Sequence, residues 1–226
     1  MQLKTIATGS SGNAYVLSDD AGNCIIIEAG VGREKINPNL PKNLRLEGCI
    51  CIVSHEHGDH AHYAESMKAY FPTYKAWEYP TGLLYESEVW KVVNFKVDHS
   101  CDCRGFAIVN KTENKKFLFI TDFFTIEKSV LDSLYLSKFD FCAVECNFNN
   151  FLLHQEKDLA RRAASLNHCS DDYFLQVIAK IRQKDTGFLA IHGSAHFLTH
   201  TMLTAKFQKK FSNYLEIAKA GSVVNF

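Results

Sequence analysis

A chain of 226 residues, 46% hydrophobic and carrying 17 Phe, is long enough to bury a sizeable core. Its 22% of charged residues is ordinary for folded proteins and excludes wholesale disorder, and no apolar run approaches the ~20 residues of a membrane-spanning helix. Lys+Arg and Asp+Glu are equal at 25 each, which excludes a global basic field of the kind that coats nucleic acid.

The charge is nonetheless uneven. Residues 1–150 hold 15 basic and 19 acidic side chains, and residues 151–226 hold 10 and 6. An acidic first part fits metal-binding carboxylates, whose cations such a count ignores. A basic tail reads as a solvated helix face or a surface for a polyanion. No secretory signal opens the sequence, so the expectation is one cytoplasmic domain over residues 1–226, with no membrane partner. Nothing in the chain speaks to its oligomeric state.

In chain order, short apolar runs ending in polar or Gly-containing turns read as buried strands. They are Ala14–Leu17, Cys24–Ile27, Cys49–Val53, Val89–Val97, Phe106–Val109, Phe117–Ile120, Phe141–Val144 and Phe188–Ile191. Helical spacing marks Ala61–Phe71, which stops at Pro72, and Glu156–Leu166. Two later helices follow, Asp171–Ile181 behind a Ser170 cap and Thr201–Phe211. Strands in succession early and helices late favour an α/β sandwich with central sheets over a strictly alternating fold. The 8 Cys, at 24, 49, 51, 101, 103, 142, 146 and 169, form no CxxC pair and read as reduced, packed thiols.

The strongest chemical signal is Ser54-His55-Glu56-His57-Gly58-Asp59-His60, directly after the strand Cys49–Val53. Imidazole and carboxylate are donors that zinc, iron and manganese accept. His55 and His57 stand two apart and, in extended geometry, point to the same side. Asp59 and His60 lie past the turn, where they can face a second ion.

This His-x-His-x-Asp-His run after a buried strand resembles the metallo-β-lactamase superfamily, a four-layer αββα sandwich with a metal site at one edge. The resemblance asks for further residues at strand ends. Glu28 follows Ile25–Ile27, His99 follows Val97, Asp122 follows Phe119–Thr121, and His192 follows Leu189–Ile191. Within the superfamily the chain is most similar to WalJ (YycJ)-type metallohydrolases, relatives of tRNase Z. Gly9–Asn13 matches their Gly-Ser-Ser-Gly-Asn opening, and His99, Asp102 and Gly105 match a further segment. So do Glu145 with Asn147, and His168 with Ser170. Three departures stand out: Glu28 replaces the usual Asp, Phe148 and Asn149 replace a His-Asp pair, and Gly193-Ser194-Ala195 replaces a polar Asn pair.

The resemblance implies two divalent ions, zinc first, with manganese or iron as alternatives. His55, His57 and His99 would hold one, Asp59, His60 and His192 the other, and Asp122 would bridge them. Two ions about 3.5–4 Å apart can share a hydroxide that attacks an electrophilic centre, phosphorus foremost. Asp59 would also orient the attacking oxygen. Glu145 and His168 would protonate the leaving group, although a loop-capping role for Glu145 competes with this reading. Glu28 would orient a ligand His. Ser10, Ser11 and Asn13 would offer their loop to a substrate phosphate, unless the loop is a plain tight turn.

The function implied is that of a metal-dependent hydrolase, a dinuclear phosphodiesterase or exonuclease with nucleic acid, DNA foremost, as substrate. Two alternatives stay open. One is a hydrolase of a small ester, thioester, lactone or cyclic nucleotide, and the other is a non-catalytic metal-binding module. A nuclease would need Arg161, Arg162, Lys180, Arg182 and Lys184 to face the cleft. Cys101 and Cys103 flank the loop after His99, where either thiolate could approach a metal, although packing is the first reading; His62, and the His196–His200 pair that would extend His192 at helical spacing, read as surface.

Overall fold

Runs rich in Ile, Val and Phe form strands buried on both faces, and the computed structural model, which describes residues 1–226, arranges them in two sheets. The first sheet contains β1 (Gln2–Ala7), β2 (Ala14–Ser18), β3 (Cys24–Ile27), β4 (Cys49–Val53) and β5 (Thr73–Lys75). The second contains β6 (Gly82–Glu86), β7 (Trp90–Val97), β8 (Cys103–Asn110), β9 (Lys115–Ile120), β10 (Phe141–Glu145), β11 (Gly187–Ile191) and β12 (Leu215–Ile217). A last strand, β13 (Val223–Asn225), returns to pair with β1.

Side-chain alternation makes the layers. In β3, Ile25 and Ile27 face the other sheet while Cys24 and Ile26 face outward. In β9, Phe117 and Phe119 point inward and Leu118 and Ile120 outward. The outer face of the first sheet is covered by α1 (Arg33–Ile36), α2 (Gly58–Ala61) and α3 (Ala64–Met67), with Ile36, Ala64 and Met67 buried against it. Further helices follow in α4 (Lys128–Ser137), α5 (Asn150–Gln155), α6 (Leu159–Ser165), α7 (Asp171–Ile181) and α8 (His200–Lys210). Of these, α4, α7 and α8 cover the second sheet through Leu134, Phe174, Ile178, Leu203 and Phe207. The result is the expected four-layer αββα sandwich.

Strand direction sets up the site. β3 runs parallel to β4, and β9, β10 and β11 are parallel to one another. β7 is antiparallel to β8, which is antiparallel to β9, so β7 shares the direction of β9. The carboxyl ends of β3, β4, β7, β9, β10 and β11 therefore carry Glu28, His55, His99, Asp122, Glu145 and His192. Ligand sites of α/β sheets form at that end.

The eight expected strands are all present, most of them a residue or more longer than their apolar runs. The edge strands β1, β5, β6, β12 and β13 were not expected. They are half-exposed or only three residues long, and carry little apolar signal. The expected helix Ala61–Phe71 is broken between α2 and α3. The Asp59 carbonyl, which a continuing helix would offer to Tyr63, instead accepts from the Asn13 backbone N–H at 2.7 Å, and Tyr63 donates to Ala29 at 2.9 Å. Helix α6 starts at Leu159 because the Asp158 side chain caps it, accepting from the Ala160 and Arg161 N–H groups. Helix α7 begins behind Ser170 as expected, and α4 was not anticipated.

Phe119 sits at the centre of the inter-sheet core, 5.2 Å from the Tyr15 ring and 6.4 Å from Phe106. Phe119→Ala is expected to lower unfolding free energy by about 3–5 kcal/mol, read as a lower urea midpoint at unchanged slope. A loss under about 0.5 kcal/mol, typical of surface sites, would contradict this account of the core.

Candidate metal centre

Six strand ends and one helical turn bring the sequence-predicted residues to a single edge of the sandwich. Ser54 and His55 leave β4, and the His55 Nδ1 meets the Ser54 hydroxyl at 2.8 Å, which directs Nε2 inward. His55 Nε2 lies 3.1 Å from His57 Nδ1, and His99 Nε2 lies 3.2 Å from that same atom. His99 is turned by its Nδ1–H, which donates to the Asn167 carbonyl at 3.0 Å.

A second group forms around His60. Its Nε2 is 3.2 Å from Asp122 Oδ1 and 3.4 Å from Asp59 Oδ2, and His192 Nε2 is 3.5 Å from Asp59 Oδ2. Asp122 faces both groups. Oδ1 looks at His60 and, at 3.4 Å, at His192 Nδ1, while Oδ2 looks at His55 and His99 at 3.7 and 3.9 Å. Within each group, His55–His57–His99 and Asp59–His60–Asp122–His192, the donor atoms lie within 4.8 Å of one another.

These donors fit a divalent cation. Three imidazole nitrogens meeting at one point cannot all be satisfied by each other's protons, since each contact can use only one. His60 Nδ1 and Glu28 Oε1 are buried with no hydrogen-bond partner. An ion at Nε2 would draw His60 Nδ1–H toward Glu28, whose Oε2 is 3.5 Å away, in a carboxylate–imidazole–metal relay. The His and Asp clusters thus support use of a divalent metal.

The charge balance agrees. Burial pushes Asp122 upward, but His192, His60 and His55 outweigh it and hold the carboxyl well below its usual range. Burial likewise opposes protonation of His60 and His192. Asp122 and Glu28 nevertheless raise His60 well above the ordinary imidazole value, and Asp122, Asp59 and Glu145 raise His192 to about 10. Burial keeps His55 and His99 low, and so neutral and ready to donate.

Backbone contacts fix this arrangement. Asn13 is buried rather than open to a ligand. Its side chain lies 2.9 Å from His60 Nε2 and 3.4 Å from Asp59 Oδ2, and it also bonds the Gly9 backbone. Ser10 lines a neighbouring cavity, and Ser11 is exposed. A Cβ on Gly30 would collide with the Asp59 carbonyl, so only glycine lets this strand end approach α2. Glu28, Asp122 and His192 themselves adopt left-handed backbone angles, with φ of 67°, 48° and 54°. Such angles cost energy for non-glycine residues and concentrate at functional sites.

Beside the second group, Glu145 Oε1 lies 2.7 Å from His168 Nδ1 and 3.1 Å from His192 Nδ1. Its Oε2 accepts from the Phe123 N–H at 2.8 Å. His168 and His192 border a cavity of about 360 Å³, together with Ser10, Asn147, Arg161 and Ser194. Of the five basic residues considered, only Arg161 reaches this cavity. Arg162 turns to His154, Lys180 pairs with Asp132, and Arg182 and Lys184 line a different depression. His62, His196 and His200 are exposed and form no separate site. Ser54, Thr8 and Asn167 were missed. The Thr8 hydroxyl accepts from the His192 N–H at 2.9 Å. Their roles rest on contacts between distant segments that leave no local pattern.

No model of a known protein family matches the chain, and no curated protein does. Solved structures do. Human tRNase Z, short form, is 15% identical and superposes with a TM-score of 0.67 over 100% of this chain and 99% of its own. The metallo-β-lactamase fold protein YhfI from Bacillus subtilis is 14% identical, with a TM-score of 0.70 over 99% of both chains. A diphosphatase of the PhnP family is 14% identical, with a TM-score of 0.67 over 100% of this chain and 97% of its own. At such identities the likeness establishes the fold, which is that of the metallo-β-lactamases.

The raised His60 and His192 set a pH dependence for the metal-free chain. Their protonation stabilises the fold fully below the unfolded imidazole value, about 6.5, and is lost as pH rises through about 10, the folded value of His192. The melting temperature of chelator-treated protein is expected to fall between pH 7 and 10, and zinc-loaded protein is expected to lose much less. Parallel pH profiles for the two forms would refute this charge assignment.

Proposed function

We propose that this chain is a metal-dependent phosphodiester hydrolase of the metallo-β-lactamase superfamily, of the WalJ type, that acts on DNA ends. His55, His57 and His99 hold one divalent ion, Asp59, His60 and His192 hold a second, and Asp122 serves both. Zinc suits this mixture of imidazole and carboxylate first, with manganese or iron as alternatives. Bound there, such ions supply Lewis acidity that activates water and stabilises developing negative charge.

The observation that carries the reading is the Glu145–His168 pair, 2.7 Å apart, beside the carboxylate–imidazole cluster and open to a polar cavity. Glu145 accepts from His168 Nδ1–H and leaves Nε2 available to the cavity. Burial opposes the charge on His168, but Glu145 and Asp122 prevail and raise its pKa above the usual imidazole value. A protonated His168 can then donate to the oxygen that leaves phosphorus. Glu145 stays ionised, because His168 and His192 offset its burial. Asp59 orients the incoming water through its Oδ2. Arg161, Ser10 and Ser194 supply donors for phosphate oxygens.

One cavity with a single Arg and no Lys suits the terminal nucleotide of a strand better than a long duplex. A second reading, a small phosphodiester such as a cyclic nucleotide, is favoured by the distance of Lys180, Arg182 and Lys184 from the cavity.

The test is hydrolysis of 5′-phosphorylated single- and double-stranded DNA, and of an aryl phosphodiester, by protein loaded with zinc or manganese. DNA cleavage is expected, with loss in the Asp59→Ala/His60→Ala double variant and a KM that climbs steeply with salt. His168→Ala is expected to slow DNA cleavage about 10²–10⁴-fold, and to slow the aryl diester far less, because its leaving group needs no proton. Cleavage of the aryl diester but not DNA would favour the small-diester reading. Cleavage of neither by metal-replete protein would overturn the hydrolase assignment.

A further inference from the structure

Only one of the eight cysteines is not buried. Cys101 lies in the five-residue connection between β7 and β8, next to the first histidine group. Its Sγ lies within 4.8 Å of the donor nitrogens of His55, His57 and His99. Zn–S near 2.3 Å and Zn–N near 2.1 Å set the sulfur and nitrogen donors of one tetrahedral ion about 3.6 Å apart. A contraction of up to about 1.2 Å, within reach of side-chain rotation, therefore brings all four onto one ion.

The connection has little freedom to point elsewhere. The Asp98 N–H donates to the Thr125 carbonyl at 3.1 Å, and the Arg104 N–H donates to the Ser54 carbonyl at 3.2 Å. His99 is held by the Asn167 carbonyl. Asp102, the carboxylate of the same loop, is drawn away by Arg104 at 3.0 Å. Cys103 points into the core, with its Sγ 3.7 Å from the Thr121 carbonyl. Cys101 is thus the one further donor this loop gives the three imidazoles. A separate group also points at this position: Asp122 is buried, and the nearest charged partners of its Oδ2 are imidazole nitrogens, those of His55, His99 and, at 3.8 Å, His168.

We propose that Cys101 is a thiolate ligand of the ion held by His55, His57 and His99, and that it makes this position selective for zinc over manganese. The inference rests on the metal-centre reading above. Coordination exchanges the thiol proton for the metal, with one proton released to solvent. A donor set of three nitrogens and one sulfur beside the shared Asp122 oxygen suits zinc, whereas manganese prefers a set made wholly of oxygen. The group at Asp59, His60 and His192 includes no sulfur, so only the first position would carry a soft donor.

The test is titration of metal-free protein with cobalt(II), followed by absorbance. The wild-type chain is expected to show visible d–d bands together with a near-ultraviolet thiolate-to-cobalt charge-transfer band, and Cys101→Ser is expected to keep the first and lose the second. Zinc affinity in the variant should fall about tenfold or more, the scale seen even for groups outside the ligand set, with manganese affinity unchanged. In the unaltered chain, zinc and not manganese should block iodoacetamide labelling of Cys101, a readout that does not depend on the variant folding. Visible bands without the charge-transfer band in wild type would overturn the Cys101 assignment and leave the histidine site standing. Absence of both bands would overturn the metal centre itself.

Discussion

The buried carboxylate of Asp122 is the constraint on which this edge of the molecule depends. It is 1% exposed, ends a core strand, and turns one oxygen to each of two groups of imidazoles. An ion of that kind in a protein interior is tolerable only with positive charge close by. Asp59, Glu28 and Glu145 add three more carboxylates within reach of the same imidazoles. Protons on His60 and His192 can balance part of that charge, and divalent cations can balance more of it at any pH at which the imidazoles are neutral.

Holding Asp122 there carries a backbone cost. Glu28, Asp122 and His192 each leave a strand in a left-handed conformation, worth of order 1–3 kcal/mol apiece. Two of the three are tied from outside their own strands: the Glu28 N–H to the Ile52 carbonyl, and the His192 N–H to the Thr8 hydroxyl. The turn lifts each side chain out of the sheet plane toward the common edge. The buried β3 and β4, and the buried carboxyl-terminal halves of β9 and β11, supply the rigidity that keeps the strained ends in position.

That division explains what could be read in the sequence. The strands β3 and β4 were legible to the residue, because a strand buried on both faces is a continuous apolar run. The His55–His60 cluster was legible because its donors are neighbours in sequence, and Glu28, Asp122 and His192 because each abuts such a run. Asn13 reads as part of a glycine turn that could greet a substrate, yet it is buried against Asp59 and His60, and nothing local announces the long-range approach of residues 9–13 to α2. Cys101 and Cys103 look equivalent in sequence. Only the pinning of the β7–β8 connection sends one toward the imidazoles and the other into the core. The helix break at Tyr63 was equally hidden, since it depends on Asn13 capturing the Asp59 carbonyl.

Glu145 gives the site a further property that no single strand end could have. One oxygen serves two imidazoles, His168 at 2.7 Å and His192 at 3.1 Å, so the proton on one and the charge on the other are coupled. When His192 is protonated, it competes with His168 for the carboxylate. When His192 is instead neutral, with its lone pair on Nε2, its Nδ1–H still donates to Glu145 but carries no full charge, and His168 becomes the preferred cation. A neutral His192 is therefore the state that favours a proton on His168. The capacity to hold a cation and the capacity to donate a proton converge on one buried carboxylate at the end of β10.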